Sequence, residues 1–234
     1  MNYKYKVILD PTKDAWNWYD GCNGNSFGVD WKKRVPKDIY KNIHGKSKKE
    51  SYKFLIPFLK QKYIDEKDDI DINITLLENI YNEKFEKACL KIVELTGKDL
   101  YLNSFTFFVT TFPRGPYNFG KGYIWEYIGW KNPIAGFMHE LLHFQFHHYW
   151  RDVPNSSISK LSEDQFQYLK ESLTVILDND IVPLIEYPDK GYDMHQIFRK
   201  QLHEFWVTNH DFDKLVNFGL KILPDYIESD LEAN

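Results

Sequence analysis

Cysteine is scarce in this chain, and its scarcity argues against two kinds of site. Only Cys22 and Cys89 occur among the 234 residues, which is too few for a disulfide framework. They also lack the C-x-x-C spacing of a structural zinc site. A chain of this length can bury a sizeable core without such staples. We therefore expect a protein of a reducing compartment, the cytoplasm.

Long apolar runs and an excess of one charge are also missing. The N-terminal segment MNYKYKVILDPTKD lacks the apolar run that a signal peptide needs, and no stretch approaches the ~20 apolar residues of a transmembrane helix. The formal net charge is −4, with both signs mixed along the chain. Electrostatics thus give no reason to expect nucleic acid as a partner. We expect no membrane partner either, and the oligomeric state stays open.

Repeats, low-complexity segments and clear linkers are absent too, which favours one domain over residues 1–234. The apolar pattern predicts an α+β fold, mainly helical with a small antiparallel sheet. Aromatic residues make up 17% of the chain, and their clusters at 14–20 and 123–130 suit either an ordinary core or a substrate cleft. The expected strands are 3–9, 104–112 and 122–130.

Several helices are expected between and after these strands. The best amphipathic pattern spans 73–96 and ends before Gly97. Pro57 should kink or split the helix over 48–63, and residues 10–46 look irregular apart from a short helix near 37–43. A helix from Pro133 to 149–151 has Asn132 as its N-cap. The remaining expected helices are 162–178, with a Ser162–Gln165 capping box, 194–207 and 211–222.

The chemistry-bearing motif lies in the helix that begins at Pro133. Residues 139–143 read H-E-L-L-H, and positions four apart lie one turn apart on the same helix face. His139 and His143 can therefore bind one metal ion, while Glu140 lies beside it as a general base for metal-bound water. The flanking residues are apolar on nearly every side. Buried histidines in such a helix need partners, and a metal supplies one.

The motif resembles that of the zincin metalloproteases. The metzincin branch needs H-E-x-x-H-x-x-G-x-x-H, but Phe146 and Tyr149 occupy the positions of its glycine and last histidine. The gluzincin branch takes a glutamate from a following helix. Glu171, in the run E-S-L-T-V-I-L, is similar to the family's E-G-[LF]-A-x-x-[LV] pattern and is the preferred third ligand. The alternatives are Glu163, twenty residues after His143, Asp178 and, on the first helix, His147.

The resemblance implies a zinc-dependent hydrolase, and more narrowly a metallopeptidase that acts on a peptide or protein substrate. It implies a zincin-like helix packed beside the sheet, a metal-site core over about 105–180 and a C-terminal helical part over about 190–225. It also implies an edge strand, for which 105–112 is a candidate, and an oxyanion donor. Tyr192 and His195 are the favoured donors, and the other candidates are His203 and His210.

Two other functions fit the same residues. One is a zinc hydrolase of a non-peptide amide or ester. The other is a non-catalytic metal-binding or interaction protein on the same scaffold. The intact set of His139, Glu140 and His143 favours an enzyme, because loss of the general base is the simplest sign of decay.

Overall fold

The computed structural model describes residues 3–24, 29–178 and 181–227, which form a mainly helical chain with one small sheet. The strands are β1 (Lys4–Leu9), β2 (Ser104–Thr110), β3 (Tyr117–Asn118) and β4 (Tyr123–Tyr127). The helices are α1 (Pro11–Asn23), α2 (Lys37–Ile43), α3 (Lys48–Asp65), α4 (Lys67–Thr96), α5 (Pro133–Phe146), α6 (Glu163–Leu173), α7 (Val182–Ile185), α8 (Gln196–Asn209) and α9 (Phe212–Ile222). The expected α+β class is confirmed.

The residues group into two compact units. The first comprises residues up to Glu83 together with Leu102–Pro133, and so holds the sheet, α1 to α3 and the first half of α4. The second comprises Lys84–Tyr101 and the residues from Ile134 onward, and so holds α5 to α9. The sheet and the H-E-x-x-H helix thus fall in different units. A single zincin-like domain, with that helix beside the sheet, stays a prediction.

The sheet is mixed, so the expected antiparallel sheet is wrong. Its strand order is β1-β2-β4-β3. β1 pairs with β2 in parallel, and β2 pairs with β4 in parallel, with Thr106 opposite Tyr123. Only β3 is antiparallel, with Tyr117 opposite Ile124. The turn-rich residues between β2 and β4 suggest a loop between antiparallel strands, but they are numerous enough to carry the chain back to the end of the sheet where β2 begins, as a parallel pair requires.

The same pairing corrects the expected edge strand. β2, which covers most of 105–112, is hydrogen-bonded on both sides and almost wholly buried. A strand whose amides are already paired cannot receive a substrate backbone. The expectation of an edge at 105–112 is therefore wrong.

Helix α1 is the main element that the sequence pattern missed. Asp10 caps it by accepting hydrogen bonds from the amides of Thr12 and Lys13, and Pro11 occupies its first turn. Its buried face carries Asp14 and Asn17, which breaks the apolar period. The Asp14 carboxylate instead accepts bonds from the hydroxyls of Thr110, Thr111 and Tyr63. Residues 25–28 of the stretch expected to be irregular lie outside the described residues.

The other expected elements are present with small shifts. Helix α3 runs without a break through Pro57, so the alternative of a split helix is wrong. Gly97 follows α4 with a φ of 64°, the left-handed conformation of a helix end. A π-helical turn, His147–Arg151, prolongs α5 to the expected end. Ser162 and Gln165 form both bonds of a capping box, and a 3-10 turn follows α6 at Thr174–Ile176.

Candidate metal centre

Helix α5 is apolar on most of its surface and is buried accordingly. Phe137, Met138, Leu141 and Leu142 are all at most 1% exposed. The histidines of the motif share one face of this helix, with ring centroids 4.3 Å apart and their Nε2 atoms 2.8 Å apart. The periodicity of a buried helix thus brings two imidazole nitrogens together.

Glu171 of α6 completes a triad with these nitrogens. Its Oε2 lies 3.3 Å from Nε2 of His139, and its Oε1 lies 3.4 Å from Nε2 of His143. Among the described residues, these three form a group whose ligand atoms all lie within 4.8 Å of one another. The residue preferred from the sequence is therefore the one that meets the histidines.

The alternative ligands lie elsewhere. Glu163 is exposed, with its carboxylate 3.2 Å from Arg151, and Asp178 lies 3.3 Å from His203. The His147 ring packs against the ring of Phe166 at 5.0 Å. None of these three belongs to the group formed by His139, His143 and Glu171.

The donor set fits a metal ion. Ligand atoms bonded tetrahedrally to zinc at ordinary lengths stand about 3.4 Å apart. Each histidine Nε2 lies near that distance from a different oxygen of Glu171, 3.3 Å from Oε2 for His139 and 3.4 Å from Oε1 for His143. The two imidazole nitrogens are closer together, at 2.8 Å. Burial lowers the pKa of His143 to about 3, so its ring is neutral and has a lone pair to donate.

Asp189, which no sequence motif marks, orients the ring of His139. Its Oδ2 lies 2.6 Å from Nδ1 of His139, which keeps a proton on Nδ1. Metal-binding histidines commonly donate to a carboxylate in this way. Burial opposes a charge on this ring, but Asp189 and Glu171 outweigh it and raise the pKa of His139 well above its usual value, so a metal ion would replace the proton on Nε2. The amide of Gly191 and the hydroxyl of Thr174 donate to the other oxygen, at 2.8 and 3.2 Å. The Asp-x-Gly spacing in the turn was the one local signal for such a residue.

Arg199 of α8 bonds to both the end of α6, which carries Glu171, and the turn that carries Asp189. Its side chain is 4% exposed. Nη1 donates to the carbonyl of Glu171 and to the hydroxyl of Thr174 at 3.1 and 2.7 Å, and Nη2 donates to the carbonyl of Asp189 at 2.7 Å. The hydroxyl of Thr174 also donates to this carbonyl of Glu171, at 2.8 Å.

A second buried cation neighbours the triad. Nζ of Lys170 lies 2.9 Å from Oε1 of Glu171, and the Lys170 side chain is 4% exposed. Burial opposes a charge on Glu171, but His143, His139 and Lys170 outweigh it and hold the pKa of this carboxyl well below its usual range. Glu171 is therefore ionised, as a metal ligand must be.

Glu140 lies one residue beyond His139 and has a different environment. Its Oε2 is buried and has no hydrogen-bond partner among the described residues. Burial raises the pKa of this carboxyl to about 7, against the charge of His139. A buried carboxylate whose pKa lies close to neutral pH is typical of a general base.

The two expected oxyanion donors differ in setting. Burial raises the pKa of Tyr192 to about 12, and the charges of Glu171 and Glu140 add to the rise. Its hydroxyl is therefore protonated at neutral pH and feels the charges of the site. His195 is fully buried, with its ring 4.3 Å from Tyr168 and 5.6 Å from Tyr192. Its catalytic role stays a prediction.

The remaining histidines of the second unit contact other residues. His148 stacks on Tyr101 at 4.3 Å. His210 ends α8 in the left-handed conformation, 5.5 Å from the ring of Trp206. His203 pairs with Asp178, as described above.

Comparison of the chain with protein-family models, curated proteins and solved structures found no match. The resemblance to gluzincins thus rests on the motif and on the geometry of the triad. Within the described residues, no helix combines the length and apolar character needed to cross a membrane.

Proposed function

We propose that this protein is a zinc-dependent hydrolase and, more specifically, a metallopeptidase. The observation that carries the proposal is the convergence of His139, His143 and Glu171 beside the buried carboxylate of Glu140. Two imidazoles and one carboxylate form a ligand set of catalytic zinc sites. When bound, zinc acts as a Lewis acid toward water and a substrate carbonyl.

The residues around the triad divide the remaining work. Glu140 accepts the proton of the attacking water on its carboxylate and returns it to the leaving amine, for which a pKa near 7 is well suited. Tyr192 is the preferred of the two candidate donors, since its protonated hydroxyl can hydrogen-bond to an oxyanion. His195, packed against Tyr192, is proposed to support that ring. Asp189 holds His139 in the tautomer that binds metal.

The decisive experiment separates metal binding from hydrolysis. In Glu140→Gln, zinc measured by elemental analysis should stay stoichiometric, while cleavage of a peptide library falls by 10²- to 10⁴-fold. Glu163→Gln, at the exposed glutamate of α6, is the matched control and should keep both properties. Full activity in Glu140→Gln would refute the mechanism. Hydrolysis of simple esters or amides without peptide cleavage would leave a zinc hydrolase and refute the peptidase.

A further inference from the structure

The first half of helix α4, within the first unit, exposes apolar side chains. Ile72 and Leu76 are 58% and 54% exposed, and their spacing of four places them on the same helix face. Ile70 and Tyr81 of the same helix are buried, so they mark the face that packs on the core. Ile72 and Leu76 thus form an apolar strip outside the core of this unit, of the kind that marks interaction sites.

A cavity of about 400 Å³ adjoins this strip. One wall comes from α4, and the other comes from the end of β4 and the turn after it. The apolar and aromatic side chains that line it include Leu76, Leu77, Ile80, Val109, Tyr127 and Trp130. We call this cavity and the adjoining Ile72–Leu76 strip the α4 groove.

The groove has a fixed wall. Trp130, 39% exposed, donates its amide to the carbonyl of Tyr127 at 2.9 Å. Its ring lies so close to Gly115 that a Cβ there would approach it within 2.2 Å. Packing of the ring on Gly115 therefore sets its position, and the groove is formed before any partner binds.

The rim of the groove is acidic where α4 begins. Asp65, Asp68 and Asp69 are exposed there, whereas Glu66 and Asp71 are paired with Lys62 and Lys67. Lys131 lies among the lining residues. Asp68 and Asp69 precede Ile72 and Asn73 by one helical turn and so lie beside the apolar strip. An apolar groove with such a rim is complementary to a chain segment that combines apolar and basic residues.

We propose that the α4 groove is a docking site for a basic, amphipathic segment of another protein. Apolar side chains of that segment enter the cavity beside Leu76 and Trp130, and its lysines and arginines face the carboxylates. Burial of the apolar anchors supplies the affinity. The opposite charges supply orientation and fast association.

The charge of the rim argues against other occupants. Nucleic acid and anionic lipid would both meet carboxylates of their own sign. Two copies of the chain joined through the same groove would oppose one cluster of carboxylates to another. The basic stretch 31–49, with eight lysines and arginines, offers charge without apolar anchors, because Val35, Ile39 and Ile43 within it are buried.

Fluorescence anisotropy of the full chain tests the proposal with two labelled peptides. One is an amphipathic helix of leucine and lysine, and the other has glutamate at every lysine position. We expect the leucine–lysine peptide to bind, more weakly at high ionic strength, and the leucine–glutamate peptide to bind at least about tenfold more weakly. Hydrogen exchange should slow on binding within 64–80 and 127–131.

Variants locate the binding. Leu76→Ser should weaken binding of the leucine–lysine peptide by about tenfold. Ile197→Ser, at an exposed isoleucine of α8, should leave the affinity unchanged. Asp68→Asn with Asp69→Asn should weaken binding and reduce its salt dependence. Equal binding of both peptides, or unchanged binding by Leu76→Ser, overturns the proposal. So does concentration-dependent self-association that Leu76→Ser abolishes in sedimentation velocity, because the occupant is then a second copy.

Discussion

Replacing Asp189 with asparagine should lower both the affinity for a metal ion and the free energy of unfolding. The aspartate serves both sides at once, with one oxygen on Nδ1 of His139 and the other on the amide of Gly191 and near Nη2 of Arg199. An asparagine has one acceptor oxygen. If that oxygen faces His139, the amide nitrogen faces the donors of Gly191, Thr174 and Arg199.

The expected magnitudes follow from these contacts. Breaking a buried ion pair by removing one partner costs about 3–5 kcal/mol. Arg199 keeps acceptors on Glu171 and Thr174, so we expect about 3 kcal/mol in the free energy of unfolding. Loss of the partner of a metal-binding histidine weakens metal affinity by about 10- to 100-fold.

Two measurements separate the effects. Urea unfolding of the metal-free chain gives the stability, and competition with a chromophoric chelator gives the zinc affinity. Arg199→Met and the double variant Asp189→Asn/Arg199→Met complete a double-mutant cycle. Because the double variant leaves no unpaired buried cation, its loss of stability should be about 1–3 kcal/mol smaller than the sum of the two single losses. Zinc affinity should stay low in the double variant.

Asp193→Asn is the matched control, since Asp193 is exposed in the same segment, and it should change neither measurement. Zinc affinity in Asp189→Asn within about twofold of wild type would refute the orienting role of Asp189. An unchanged free energy of unfolding would refute the buried pair with Arg199.

Three further outcomes are expected. Tyr192→Phe should lower kcat by about 10²- to 10³-fold with little change in KM, the result for loss of an oxyanion donor. Burial lowers the pKa of His147 to about 4. Between pH 6.5 and 4 the unfolded chain therefore binds a proton that the folded chain does not, and the free energy of unfolding decreases as the pH is lowered, by up to about 3 kcal/mol. Urea unfolding of His147→Phe in chelator should show a shallower slope in that window. Zinc at about a hundred times its Kd should stabilise the chain by about 2.7 kcal/mol, a rise of roughly 5–10 °C in Tm, and Glu171→Gln should abolish that rise in a thermal melt.

The triad was accessible from the sequence because its geometry is mostly local. His139 and His143 need only one helix turn to share a face, and burial of that turn needs only the apolar residues around it. Glu171 required the resemblance to gluzincins, since periodicity places it on a helix and gives no direction toward α5. Asp189 was missed because its contact with His139 joins residues fifty positions apart, and a lone aspartate in a turn is an ordinary feature.

The sheet shows why pairing was harder to predict than strands. The positions of β1, β2 and β4 follow from alternating and β-branched residues. Their direction depends on where the connecting chain travels, which the strand residues themselves do not encode. Helix α1 escaped notice for a different reason. Asp14 and Asn17 face inward to bond with the end of β2, so the apolar period that marks a buried helix face is interrupted there.

The charges around the triad support a catalytic metal over a structural one. A structural zinc is closed by four protein ligands, and among the described residues the group stops at three. Asp189, a further carboxylate beside the triad, is turned to Nδ1 of His139, where it orients the ring. Lys170 and Arg199 offset the charges of Glu171 and Asp189. Once both histidines bind it as neutral rings, a divalent ion would exceed the charge of ionised Glu140, and the resulting positive site would favour an anion that forms during the reaction.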